Sequence, residues 1–523
     1  MRRRAYASWA CGAVGVAAAV YLAGCVFRTS IDCENALVDC GTGGATSSSS
    51  SSGGGGGTAG TGGMPINCIP SAVPVDDSCG VFVQANAAGA IEDGTQAHPY
   101  KTLQKAVDNA AKKRVYACAG TFTESVTIAA PLALYGKLDC KSWAYNATTT
   151  TTLTAQADAV PLTLSTGADP VTVEGFAITA ADAAKDGGSS IAVIADQGSA
   201  SFVRCDLVAG AGKAGLAGTT PTDSVGPIDS SDVGIKGNDG KNACMDPAAQ
   251  FGGLTKQNAL CSSVGGQGGN GLTTNGSSGD LQPSATAQTA LGGVGQPNMD
   301  PLWSCVVGQG AIGASGTAGV SGTGAAGASS LGTVDKSGYT GTPGQPGGLA
   351  SPGQGGGGGG GAKGKLLCAG ASGGGGGAGG CGGKGGLGGN AGGASIAILS
   401  LGATLSFDKV TIKAGVGGDG GSGGDGQGGG VGGKGGTGGN GDSTAPATLA
   451  ACDGGKGGQG GTGGKGGGGR GGHAIGIAYT GATMPSTKGA TFAKGTTGKG
   501  GLGAADMMHD GDAGAQADVQ VFQ

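Results

Sequence analysis

The sequence predicts an all-β protein, a parallel β-helix whose coils are interrupted by long glycine-rich insertions. Three observations carry the prediction. A 21-residue segment recurs without a gap, a third copy of its apolar pattern lies upstream, and short β-branched runs bounded by turn residues precede all three. Aromatic residues make up only 4% of the chain and glycine supplies 126 of 523 residues, so a packed core must be concentrated in a few segments.

The chain opens on a positively charged stretch, Arg2, Arg3 and Arg4, followed by 14 apolar or small residues from position 10 to 23. That is shorter than the roughly 18 to 20 residues needed to span a bilayer as a helix, and it ends in Leu22-Ala23-Gly24-Cys25. The alternative is an ordinary secretory peptide with a chance cysteine. The four residues resemble the lipobox of bacterial lipoproteins. The resemblance implies that residues 1–24 are removed and that Cys25 is acylated, anchoring the chain to a membrane, with the outer membrane the expected place. Losing Arg2, Arg3 and Arg4 takes 30 basic residues to 27 against 34 acidic ones, a formal net charge of −7. A mildly acidic chain lacks the basic footprint of a nucleic-acid binder.

Residues 25–80 read as a tether, with a Ser47–52 run, glycines 53–57 and proline-punctuated polar sequence. Cys33 with Cys40 and Cys68 with Cys79 are close enough to form local disulfides, in keeping with an exported chain of 15 cysteines. Ordered sequence, residues 81–210, begins at Val81-Phe82-Val83. Thr102 is placed to N-cap a short helix whose apolar face comprises Leu103, Ala106, Val107 and Ala110. Strands are expected at Arg114-Val115-Tyr116, Ser125-Val126-Thr127-Ile128 and Leu132-Ala133-Leu134-Tyr135. The phrase Gly94-Thr95, then Pro99-Tyr100-Lys101-Thr102-Leu103-Gln104, resembles the opening of pectate-lyase-like domains. This resemblance implies a right-handed parallel β-helix with the helix capping its first coil.

Residues 190–210 and 395–415 share Ser190/Ser395, Ile191/Ile396, Ala192/Ala397, Ser201/Ser406, Phe202/Phe407, Ala209/Ala414 and Gly210/Gly415. Val173, Phe176 and Ile178 repeat the pattern of Phe202, Cys205 and Leu207 and of Phe407, Val410 and Ile412, so each coil presents three inward positions to a stacked core. The first two copies stand 29 residues apart and the next two 205, so residues 211–394 read as an insertion that leaves the stack and returns at the 395–414 coil. Two strands of an unrelated sandwich are the competing reading. Cys205 occupies an inward position and is expected to be a free, buried cysteine. That leaves twelve cysteines to pair once Cys11 and Cys25 are also set aside.

A second insertion, residues 415–472, precedes C-terminal coils in 473–523. Residues 417–441, 454–465 and 379–390 read largely Gly-Gly-x, with Asp419, Asp425 and Lys434, then Lys456 and Lys465, then Cys381 and Lys384, each set in one frame. A period of three fits an extended polyproline-II-type helix with bare glycine edges, so the runs either bundle or remain mobile loops, glycine making order costly. Two glycines per triplet with almost no proline is not collagen. The whole resembles glycine-rich PGRS-type bacterial surface proteins.

Catalytic signals are thin. Gly370-Ala371-Ser372-Gly373-Gly374 matches G-x-S-x-G but lacks a preceding strand or following helix. P-loop and calcium-nonapeptide patterns are absent, and His98, His473 and His509 are too scattered for a metal motif. Asp419 and Asp425 are expected as solvated carboxylates, with weak calcium binding the other reading. Glu174, Asp206 and Asp408 are expected to point outward without a partner, and only four arginines, Arg28, Arg114, Arg204 and Arg470, lie beyond residue 24. No catalytic, cofactor or metal residue is assigned. The functional expectation is a non-enzymatic envelope lipoprotein, structural or adhesive, contacting glycans or matrix. The alternative is a carbohydrate-active β-helix enzyme with paired carboxylates in one groove.

Overall fold

The structure, a computed structural model, describes residues 68–283, 289–300, 302–306, 311–444, 446–503 and 509–523. Cys25, the Cys33/Cys40 pair and most of the tether lie outside the described residues. Among the described residues the chain is nearly all-β, with one six-residue helix, and its three main sheets are six-stranded and parallel.

The chain visits the three sheets in turn. Arg114–Cys118, Leu132–Leu138, Val171–Glu174, Ser199–Val203 and Thr404–Asp408 join Val81–Val83 in the first sheet. Gly120–Thr123, Thr151–Thr154, Phe176–Thr179, Asp206–Val208, Val410–Lys413 and Ala490–Ala493 build the second. Val126–Ile128, Leu162–Leu164, Ser190–Asp196, Ser395–Leu401, Ala474–Thr480 and Gln516–Val521 build the third. This arrangement is compatible with a β-helix. Period-two alternation sends Leu153, Val173, Ile178, Leu207 and Ile412 into one shared core, because every second side chain on a strand faces the same way.

The repeat is expressed as register. Phe202 pairs with Val173 on one side and Phe407 on the other, Leu207 pairs with Ile178 and Ile412, and Ser190 pairs with Ser395. The Phe202 and Phe407 rings stack with centroids 6.1 Å apart. All six repeat positions, including Cys205 and Val410, are buried. The excursion leaves and returns at one place: Gly393 N–H donates to Lys213 C=O at 2.8 Å.

At the start of the stack, Leu103–Asp108 is helical with Thr102 as N-cap, and Glu124 adds a second cap by accepting from Leu103 N–H (2.8 Å) and Gln104 N–H (3.0 Å). Residues 68–80, read from sequence as the end of the tether, are instead packed. The Cys68–Cys79 disulfide closes a loop whose Val75 joins Phe82, Tyr116 and Trp143 in a separate apolar cluster, and Tyr116 Oη donates to Cys68 C=O at 2.7 Å. A short closed loop has little entropy left to lose, so one apolar side chain suffices to seat it.

The glycine runs form an ordered bundle. In the central run, N–H groups of Gly374, Gly377, Gly380, Gly383, Gly386, Gly389 and Gly392 donate to carbonyls of Cys452, Gly455, Gly458, Gly461, Gly464, Gly467 and Arg470 at 2.9–3.0 Å. Carbonyls of Ala378, Cys381, Lys384, Leu387 and Asn390 accept from Gly433, Gly430, Gln427, Gly424 and Gly421 at 2.8 Å, and carbonyls of Gly377, Gly380 and Gly386 accept from Gly356, Gly353 and Gly347 at 2.8–2.9 Å. Bonds that recur every third residue on successive edges are the mark of extended three-residue-per-turn helices satisfying their backbones against one another. A Cβ on Gly380 would collide with Gly430 O, and one on Gly463 with Lys384 O, so glycine is required by backbone-to-backbone packing. Segments from both insertions take part, as do residues 495–503 and 511–514, which the sequence places among the C-terminal coils.

Candidate functional site

The central run lies between Ser395, in the third sheet, and a turn at residues 365–368. At ~3.1 Å per residue, its 24 residues from 370 to 393 carry that turn roughly 75 Å from the sheets. Lys365 N–H donates to Cys368 C=O at 2.8 Å and Cys368 N–H to Lys365 C=O at 3.0 Å, so Leu366 and Leu367 form the two-residue end of a tight hairpin. Leu366 is 89% exposed and Leu367 77%, and Leu367 holds φ at +60°. An apolar branched residue in the left-handed region and in water gains nothing from either.

The hairpin is held on several sides. Cys368 is bonded to Cys244, and Lys365 Nζ pairs with the Asp442 carboxylate and donates to Thr444 Oγ1 at 2.8 Å. Lys365 and Thr444 together hold the Asp442 carboxyl down at about 2. Lys363 Nζ donates to Asn298 C=O at 2.7 Å, while Lys363 N–H donates to Gln296 Oε1 at 2.8 Å. A second disulfide, Cys305–Cys452, ties the neighbouring loop to the bundle, where Trp303 is buried among alanines and donates Nε1–H to Val294 C=O at 2.9 Å. Cys261–Cys381 spans the bundle further along. Beside Leu366 lies a cleft of about 470 Å³ lined by Thr274, Asn298, Lys363, Pro446 and Leu449 among others. Met299 and Leu302, on the same loop as Asn298, are 91% and 80% exposed. The result is a braced surface with projecting apolar side chains and a few lysines and amides, suited to binding.

The residues singled out from sequence fall elsewhere. Ser372 is fully buried, with its Oγ accepting from Lys241 N–H at 2.8 Å, so it has no access to a substrate. Glu174 departs from expectation. It is buried and ion-paired with Arg204, whose guanidinium also lies 5.6 Å from the Tyr145 ring centre. Arg204 comes directly after Val203, the residue registered with Glu174, and its φ of +51° turns the chain at that corner. Asp206 and Asp408 are exposed. Asp425 lies 3.5 Å from Lys465 Nζ, and Asp419 Oδ1 accepts from Lys499 N–H at 2.7 Å. Cys244, Cys368 and Asp442 place ligand-type atoms close together, but both sulfurs are committed to the disulfide.

His473, set aside as a metal ligand, is fully buried where bundle and third sheet meet. Its Nδ1 accepts from Ala515 N–H at 2.7 Å and its Nε2 lies 2.7 Å from Leu331 C=O, with Tyr339 and Phe522 edge-on to the ring. Burial pushes its pKa down.

Sequence reasoning did not find the hairpin end. The available signal is the break at 362–369, Ala-Lys-Gly-Lys-Leu-Leu-Cys-Ala, between the glycine runs at 355–361 and 373–377. No protein family, curated protein or solved structure matches this chain.

Proposed function

We propose that the protein is an envelope lipoprotein, anchored through Cys25, whose glycine bundle presents an adhesive end. The three-sheet body is read as a right-handed, pectate-lyase-like β-helix, and the whole as a PGRS-type surface protein on the outer membrane. Its ligands would be surface glycans or matrix, contacted without chemistry. The observation that carries the reading is Leu366-Leu367: two exposed leucines at the end of a braced hairpin, one of them in a backbone conformation that glycine adopts more cheaply. A position that favours neither stability nor solubility is explained by contact with a partner.

The test pairs stability with binding. Leu367→Gly should leave stability unchanged or raise it by up to about 1 kcal/mol, since the left-handed strain is relieved. Combined with Leu366→Ser it should lower retention on a glycan, matrix and whole-cell array at least tenfold. Unchanged retention by a folded double variant would refute the adhesive end. Separately, Cys25→Ser should abolish labelling by a fatty-acid analogue, and continued labelling would refute the anchor.

A further inference from the structure

Residues 329–342 leave the glycine bundle, fold into a short hairpin and return to it. Thr333–Asp335 pairs antiparallel with Gly338–Thr340, and the two form a sheet of their own. The hairpin lies on a second apolar cluster, separate from the shared core: Leu331, Val334 and Tyr339 pack against Ile191, Ile194, Ile396, Leu399 and Ile475 of the third sheet. The approach is close, since a Cβ on Gly338 would stand 3.3 Å from Ile191 Cδ1. Lifting the hairpin would give part of this apolar face to water, at a cost that grows with the area uncovered.

The hairpin is tied to the bundle at both ends, where Asp512 N–H donates to Ala328 C=O at 2.9 Å and Arg470 N–H to Thr342 C=O at 3.2 Å. Between those ties two side chains from one short stretch hold it. The Arg470 guanidinium donates to Ser329 C=O, and His473 Nε2 lies 2.7 Å from Leu331 C=O, which also accepts from Tyr339 Oη at 3.0 Å. On its other side the imidazole is held by the last strand, because Nδ1 accepts from Ala515 N–H at 2.7 Å. The charged groups of the surrounding elements are Arg470 with its partner Asp512 at 3.3 Å, Asp335 and Lys336 at the exposed hairpin turn, and Asp518 on the last strand, 3.8 Å from Lys494 Nζ.

We propose that residues 329–342 form an acid-released cover over the apolar face of the third sheet, with His473 as the clamp that a proton opens. A proton on Nδ1 turns two donors toward each other and abolishes the bond from Ala515 N–H. It also creates a charge in a fully buried ring beside the Arg470 cation, whose carboxylate partner is already engaged. The protonated ring must reach water, so one of the two elements on it must give way. Gln516–Val521 is laddered to Ala474–Thr480 through five registered pairs, whereas the hairpin pairs only within itself. The hairpin therefore yields first. The clamp is closed above pH 6.5 and opens as pH falls below it, because the open form takes up the proton that the buried ring refuses.

The test is amide hydrogen exchange of the full-length chain at about pH 7.5 and about pH 5, each rate divided by that of an unstructured chain at the same pH. Protection of residues 333–340 should fall at least tenfold at the lower pH while that of 516–521 changes less than threefold. Unchanged protection of 333–340 would overturn the cover, and an equal loss in both segments would overturn it by showing that the last strand gives way instead. The native chain alone decides these outcomes. His473→Gln then tests the clamp, because its amide can donate to Leu331 C=O and accept from Ala515 N–H without titrating. In that variant protection of 333–340 should differ less than twofold between the two pH values. A full pH response in the folded variant would assign the effect to another group, such as His509 beside Ala325, and overturn the role of His473.

Discussion

Cys205 illustrates how much of this protein is settled by single inward positions. Its thiol is buried within the shared core, 3.3 Å from Val173 C=O, and burial pushes its pKa up to about 11. It is a small apolar filler, and the remaining cysteines of the described residues are all paired. Cys205→Val should therefore fold and change stability by about 1 kcal/mol or less, measured by chemical denaturation. The native thiol should resist alkylation until the protein unfolds. His473 behaves differently. Because Nδ1 accepts from Ala515 N–H, the proton sits on Nε2 and the ring is neutral. Its folded pKa is below 6.5, so the unfolded chain binds the proton first as pH falls. Stability from this residue is present above pH 6.5 and is lost as pH drops below it. Thermal unfolding compared at about pH 7.5 and about pH 5 should show the decline, and His473→Gln should flatten it; identical pH slopes would contradict this role.

At the scale of elements, the legible parts were those whose periodicity is local. Val173, Phe202 and Phe407 could be aligned because the apolar spacing along each strand is the spacing of the core, and the Thr102 cap because its signal spans four residues. Glu174 was misread because its partner, Arg204, comes from the next coil, and strand alternation says nothing of a corner residue at φ +51°. The far disulfides were equally hidden: Cys244–Cys368 and Cys305–Cys452 span 124 and 147 residues and depend on how runs pair in space. The glycine runs showed their period but not their order, since order depends on neighbours that the period does not name. Here a matched pair of substitutions is informative. Gly380→Ala drives a methyl into Gly430 O and should cost about 1–3 kcal/mol, as overpacking does. Lys384→Ala, four residues on at an exposed edge where it pairs with Asp223, should cost about 1 kcal/mol or less in the same denaturation experiment.

At the scale of the molecule, the excursion of residues 211–394 is not separable from the second insertion. Its central run is enclosed by residues 421–436, 452–470 and 344–356, so the two insertions and residues 495–503 and 511–514 stand or fall together. This is why a chain with so few aromatic residues holds an ordered reach of about 75 Å: backbone hydrogen bonds and close glycine packing replace the side-chain core that the sheets possess. Disulfides brace the far loops, and the lysine and leucine hairpin is presented from that frame. The central claim is the order of the bundle, and amide hydrogen exchange resolved along residues 370–393 tests it most directly. The account predicts that these glycine amides exchange at least a hundredfold more slowly than an unstructured glycine chain, together with their partners in 421–436 and 452–470. Exchange at the unstructured rate across 370–393, with the sheet strands still protected, would contradict it.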